Sequence, residues 1–262
     1  MDSYFGRTVL VTGASSGIGE AMARQLALRK ARLVLTARSE DKLHALAAEF
    51  KRLGADAAVY PHDLAQPGAA RALWERLDEG HRPDVLINNA GFGILGRVVT
   101  NGPEEIEQMM ALNATNLAVL SRLALPEMLR RGFGGILNVA SMAAFTPAPY
   151  FAVYSASKAF VLSFSEALHA ECEGTGVAVT CLCPGITRTG FGDRADMDAA
   201  FFRKGESAER VAETGLDALL RGDRTVVSGT QNKVLASAAR LAPTGLKLSV
   251  SRRLMRAAVD ED

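Results

Sequence analysis

Short, continuous apolar runs alternate with amphipathic segments along most of this chain. Thr8-Val9-Leu10-Val11-Thr12 is apolar and β-branched without interruption, the pattern of a strand buried on both faces. Runs of similar character span Arg32–Ala37, Ala55–Tyr60, Pro83–Asn88, Gly135–Ser141, Val177–Cys183 and Arg224–Ser228. Between them the apolar period changes toward that of a helix. Helices are predicted from about Glu20 to Arg29, from a cap at Ser39 to about Leu53, and from Ala69 to about Glu79. A long one covers Pro103 to Arg130, another carries Tyr154 and Lys158, and a third runs from Ser207 to about Leu220. This alternation predicts an α/β fold: a parallel sheet of about seven strands with helices on both faces. No linker, repeat or low-complexity tract divides the chain, so one domain is expected.

In such sheets ligands bind beyond the carboxyl ends of the strands. Gly13, Asn89, Ser141 and Pro184 all fall at those ends, and Tyr154 follows the loop Met142–Tyr150. The first strand runs into Gly13-Ala14-Ser15-Ser16-Gly17-Ile18-Gly19, then into a helix. Strand, glycine turn and helix start form the setting for a bound diphosphate, because the bare backbone comes close and the first helical turn offers free N–H groups. In Tyr154-Ser155-Ala156-Ser157-Lys158 the tyrosine and lysine lie four apart, on one helical face. A cation beside a phenol favours the phenolate, so this pair reads as a general acid/base whose tyrosine pKa is lowered by the lysine.

Composition narrows the classes. The 262 residues are 48% hydrophobic, enough for a substantial core, and the formal charge of +1 gives no general attraction to nucleic acid. No basic segment followed by an apolar run opens the chain, and no apolar stretch reaches the ~18 residues of a membrane span. Cys172, Cys181 and Cys183 do not suggest a disulfide framework; Cys181 and Cys183 should share one face of a strand as small core residues. Four scattered histidines provide no metal-ligand spacing. A reducing, cytoplasmic setting follows.

Taken together, Thr12-Gly13-x-x-x-Gly17-Ile18-Gly19, Asn88-Asn89-Ala90-Gly91, Asn113, Ser141, Tyr154-x-x-x-Lys158 and Pro184-Gly185 with Thr189 resemble the short-chain dehydrogenase/reductase family over roughly residues 5 to 230. The resemblance implies a Rossmann-type doubly wound sheet and a nicotinamide-dependent oxidoreductase acting on a carbonyl/alcohol pair. It implies that Tyr154 exchanges a proton with the substrate oxygen, that Lys158 lowers the tyrosine pKa and holds the nicotinamide ribose, and that Ser141 donates to the substrate oxygen. Asn113 would support a water-mediated proton path to the lysine. Gly13, Ser15, Ser16, Gly17, Ile18 and Gly19 would form the diphosphate turn. Asn89, Ala90 and Gly91 would lie near the adenosine ribose, Asp63 at the adenine, and Pro184, Gly185 and Thr189 around the nicotinamide. A non-catalytic dinucleotide sensor on this fold would be expected to lose Tyr154, Lys158 or Ser141. A nucleotide-sugar epimerase or dehydratase would carry Thr-Gly-x-x-Gly-x-x-Gly and a longer C-terminal domain. This chain has neither feature.

NAD-preferring relatives end the second strand with an acid. Here Ala37 stands there, followed by Arg38 and Ser39, a set suited to a 2′-phosphate and hence to NADPH, with NADH also possible. Phe92, Ile94, Met142, Phe145, Phe191, Met197, Phe201 and Phe202 lie on loops at the same rim and are expected to line an apolar substrate pocket. Residues 1–229 read as the oxidoreductase domain and 230–262 as its basic amphipathic helical extension, split into two helices by Pro243-Thr244-Gly245. Val234, Leu235, Ala238 and Leu241, then Leu246, Val250 and Leu254, form stripes expected to cover an apolar surface of this chain or of a second subunit in a homo-oligomer, in preference to a membrane.

Overall fold

The computed structural model describes residues 3–194 and 205–256. Seven parallel strands form the main sheet: β1 (Thr8–Thr12), β2 (Arg32–Thr36), β3 (Ala57–Val59), β4 (Val85–Asn88), β5 (Gly134–Val139), β6 (Val177–Cys183) and β9 (Thr225–Val227). Their spatial order is β3-β2-β1-β4-β5-β6-β9. Chain order reverses between β1 and β4, which opens a crevice at their carboxyl ends. A two-stranded ribbon, β7 (Thr187–Arg188) with β8 (Glu206–Ser207), stands beside that rim. Its strands are too short to leave a periodic signal, and the sequence reading has no counterpart for it.

The central strands are buried on both sides, yet their side chains still alternate. Val9 and Val11 join one core layer while Leu10 joins the other; Leu137 and Ile136 divide in the same way. Helices α1 (Gly17–Leu28), α2 (Glu40–Arg52) and α7 (Ala208–Arg221) pack on the first face. Helices α3 (Ala69–Arg76), α4 (Pro103–Met110), α5 (Asn116–Arg131) and α6 (Ala152–Glu171) pack on the second. In α7 the Ser207 hydroxyl accepts from Arg210 N–H, and Gly222 ends the helix at φ +74°. Gly215 lets β6 come close: an added Cβ would lie 2.7 Å from Leu182.

Several boundaries differ from expectation. The third strand is three residues long, and α3 stops at Arg76, followed by a 3₁₀ turn at Glu79–His81. Ser39 occupies the N-cap position of α2, but its side chain makes no capping bond. The helix expected over Pro103–Arg130 is interrupted by a π turn at Ala111–Thr115, which carries Asn113. Such a turn adds a residue to the local repeat, a change that apolar periodicity does not register. The loop Met142–Tyr150 contains a 3₁₀ turn, Met142–Phe145, capped by the Ser141 hydroxyl.

Beyond β9 lie α8 (Thr230–Leu241) and α9 (Thr244–Arg256). Their buried positions are Ala236 on α8 and Ser251 on α9, with Ala239 and Met255 also packed on the core. Within the single chain, the expected apolar stripes are therefore not the faces that pack on the core. Val234, Leu235, Leu241, Leu246, Val250 and Leu254 are all exposed. No helix among the described residues is long and apolar enough to cross a membrane.

Candidate active site

The glycine turn follows β1 directly. Gly13 and Gly17 have φ of +66° and +58°, left-handed conformations that a side chain resists. At Gly19 an added Cβ would overlap the Gly13 carbonyl oxygen and Asn89 Nδ2. Thr189 crosses above Gly17, with side-chain carbons 3.1–3.2 Å from where a Cβ would stand. Ser16 precedes α1 in extended backbone without capping it through its side chain, so the first-turn N–H groups of α1 receive no side-chain cap from it.

Asn89 knits the two strand ends that border the crevice. Its backbone N–H donates to Thr12 Oγ1 (2.9 Å), and its Nδ2 donates to the Thr12 and Gly13 carbonyls (2.9 and 3.3 Å). Ala90 N–H also donates to Thr12 Oγ1 (3.0 Å). One layer below, Asn88 donates to Asn138 Oδ1 (2.9 Å) and Ser121 Oγ (3.0 Å), and Asn138 donates to Ser165 Oγ (2.9 Å). This buried polar chain locks β4 to β5 and both to the helices beneath. Two asparagines in adjacent strands were its only trace in the sequence, and pairing them requires the register.

Helix α6 brings Tyr154 and Lys158 inward on the face that also buries Val161, Ser165 and Leu168. Tyr150, just before it, adopts φ +65°, a costly conformation for a non-glycine residue. Tyr154 is 7% exposed, stacked on Phe151 at 4.3 Å between centroids and tilted against Phe191 at 5.6 Å. Burial pushes its phenol up to about 12, and the hydrogen bond with Ser141 acts in the opposite direction. Lys158 Nζ donates to the Val139 carbonyl at 2.9 Å and lies 5.8 Å from the Tyr154 ring centroid. Burial pulls the ammonium down to about 8, while Cys181 and Cys183 favour its charge. Lys158 is thus close to Tyr154 but is not what sets the phenol pKa in this structure. Desolvation is the larger cause and the Ser141 bond the smaller, and a helical spacing reveals neither. The two thiols themselves lie 3.9 Å apart on β6, both buried, as their alternation predicts.

Asn113 is fully buried and saturated. Its Oδ1 accepts from Phe92 N–H (3.1 Å), and its Nδ2 donates to Phe92 O (2.8 Å) and Ser157 Oγ (3.0 Å). A Cβ on Gly91 would meet Asn113 Oδ1 at 3.0 Å and Lys158 Nζ at 3.3 Å, so Gly91 is the gap through which these two residues approach. Pro184 O accepts from Met142 N–H (2.9 Å), joining the loop after β6 to the turn that carries Ser141.

The glycine turn, Asn89, Ser141, Tyr154, Lys158 and Pro184 open on one cavity of about 800 Å³, whereas Gly19 and Asn113 stand behind its wall. At one end are the glycine turn, Arg38, Ser39 and Asp63, whose carboxylate accepts from Ala65 N–H (3.0 Å). Lys42 is a further cation at that end, and the sequence reading did not single it out; its place in the first turn of the helix after Arg38 was the available signal. Arg38 forms no ion pair among the described residues. At the other end are Ser141, Tyr154, Met142 and Phe191. Phe92, Ile94 and Phe145 were expected here but pack in the core instead. Met197, Phe201 and Phe202 lie outside the described residues. The bare turn, the start of α1 and the basic groups beyond β2 form a cradle that fits a dinucleotide, whose diphosphate needs close backbone approach.

The family model for short chain dehydrogenases matches residues 7–199. The ketoacyl reductase HetN of Nostoc sp. is 34% identical over 243 residues, covering 92% of this chain and 84% of that protein. The chain spans 46% of the mycobacterial probable oxidoreductase EphD, which is 31% identical. A short-chain dehydrogenase from Sphingobium yanoikuyae in complex with NADPH superposes with a TM-score of 0.81 at 34% identity, covering 88% of this chain and 93% of that one. A short-chain dehydrogenase/reductase from Burkholderia phymatum in complex with NAD gives 0.82 at 25% identity, covering 96% and 97%. This chain belongs to the short-chain dehydrogenase/reductase family, oxidoreductases that interconvert CH–OH and C=O groups with a nicotinamide dinucleotide.

Proposed function

We propose that this protein is an NADPH-dependent carbonyl reductase, able to run in reverse, on an apolar substrate. The observation that carries the reading is the convergence of the Tyr154 phenol, the Ser141 hydroxyl and the Lys158 ammonium at one end of a cavity whose other end is a bare glycine turn. The bound dinucleotide supplies or accepts the hydride. Tyr154 delivers the proton to the substrate oxygen as negative charge builds there. The phenol is protonated at neutral pH, the form from which a reductase delivers its proton. Ser141 hydrogen-bonds the same oxygen, a contact of the kind worth about 10²–10³ in rate. Lys158, with a pKa near 8, remains largely protonated at pH 7 and holds positive charge beneath that site.

Arg38, Lys42 and the absence of an acid at Ala37 support recognition of the 2′-phosphate. The three free, buried cysteines suit a reducing compartment. The test is a panel of ketones followed with NADPH and NADH in parallel, on the native chain and on Tyr154→Phe. The variant should lose nearly all turnover and still bind cofactor. Near-native turnover by the Phe variant would remove Tyr154 from its role. Cofactor binding with no turnover across the panel would favour a dinucleotide sensor.

A further inference from the structure

Leu246, Val250 and Leu254 are spaced by four and so share one face of α9. They are 57%, 52% and 63% exposed, but the side they present is the cavity that holds Tyr154. Leu235 and Ala238 of α8 open on it too. From Leu246 to Leu254 the stripe runs about 12 Å at ~1.5 Å per residue.

The helix pair is fastened at both ends of this cavity. At its root Asn232 donates to Ser228 O (2.8 Å) and fills the space beside Gly185, where a Cβ would overlap it. The Ser228 hydroxyl donates to Glu206 at the edge of the β7–β8 ribbon. Toward the far end Ser251 Oγ donates to Pro147 O (2.9 Å), and Met255 packs on the cluster that includes Tyr154. The stripe is therefore held over the site between the Pro184-Gly185 turn and the Pro147 loop. Met142, Ala148, Phe151 and Phe191 line the same cavity.

We propose that α8 and α9 form the outer wall of the substrate site, and that the substrate is a carbonyl compound with an extended apolar chain lying along Leu246, Val250 and Leu254. The carbonyl end of this assignment rests on the oxidoreductase reading; the apolar wall rests on the cavity alone. Three apolar side chains lining a cavity next to the reacting groups are wetted unless an apolar ligand covers them, and covering them is favourable.

Two measurements separate the wall from the chemistry. The first is kcat/KM with NADPH for straight-chain methyl ketones from 2-butanone to 2-dodecanone. It should rise with length by up to about fourfold per methylene, the equivalent of ~0.8 kcal/mol per buried CH₂. The double variant Leu246→Ser/Val250→Ser should cut the ratio between long and short ketones at least tenfold. The second is displacement of 1-anilinonaphthalene-8-sulfonate from the Tyr154→Phe chain by 2-butanol through 2-dodecanol, which requires no turnover. Potency should rise with length and flatten in the double variant. Melting temperature checks its folding, and Leu254→Ser serves if the pair is unstable. A flat series in displacement, or a slope untouched by the substitutions, overturns the wall. A displacement slope that the variants flatten, with no ketone reduced by either cofactor, retains the wall and sinks the reductase reading. Salt-sensitive sedimentation with anionic vesicles, lost in the double variant, would assign the stripe to a lipid surface and overturn the proposal.

Discussion

Lys158 is held in the core at a cost, and replacing it with methionine should make the protein more stable. The residue is 4% exposed, and burial lowers its pKa from the ordinary 10.5 to about 8. That fall corresponds to ~3 kcal/mol by which the folded state disfavours the ammonium. The folded state binds this proton less tightly than the unfolded chain. The cost is therefore present in full below pH 8 and fades as pH rises from there toward 10.5. Methionine has similar length and no charge, but it gives up the 2.9 Å bond to Val139 O, worth about 1 kcal/mol. Lys158→Met should thus gain about 2 kcal/mol at pH 7, or ~4–8 °C in melting temperature for a chain of this size. By pH 10 most of the penalty is gone, the lost bond cancels what remains, and the gain should fall to about zero. Urea unfolding of both proteins at pH 7 and pH 10 measures this directly, because pH effects elsewhere cancel between them. Turnover should disappear in the variant. Equal or lower stability at pH 7, or a gain that does not change with pH, would refute the argument.

Two other substitutions probe the cofactor end. Arg38→Ala should weaken NADPH about 10- to 100-fold through loss of one charge-assisted hydrogen bond of ~1.5–3 kcal/mol, and leave NADH nearly unchanged; titrating both cofactors checks it, and equal losses would end the assignment. Gly19→Ala forces a methyl onto the Gly13 carbonyl and the Asn89 amide, so calorimetry should show a loss of about 1–3 kcal/mol and dinucleotide affinity should fall at least tenfold.

The period and placement of apolar residues determined most of the architecture. Uninterrupted runs such as Thr8–Thr12 and Val177–Cys183 have no polar face to expose and must be buried on both sides, which demands a parallel sheet with helical cover. Glycine, proline and asparagine at the ends of those runs then marked the rim. What stayed hidden depends on distance, register or environment. The Asn88–Asn138 bond exists because β4 and β5 pair at that residue. The π turn carries Asn113 to hydrogen bonds with Phe92 and Ser157, partners 21 and 44 positions away that no local pattern connects to it. The Tyr154–Lys158 spacing was legible, but the direction of the tyrosine pKa was not, because desolvation is a property of everything packed around the phenol. The tail shows the same division. Its two helices and their apolar stripes were visible in residues 230–256, yet an amphipathic pattern says only that a face seeks apolar company. Anchors at Asn232 and Ser251, 47 and 104 positions from Gly185 and Pro147, decide that this face looks into the cavity.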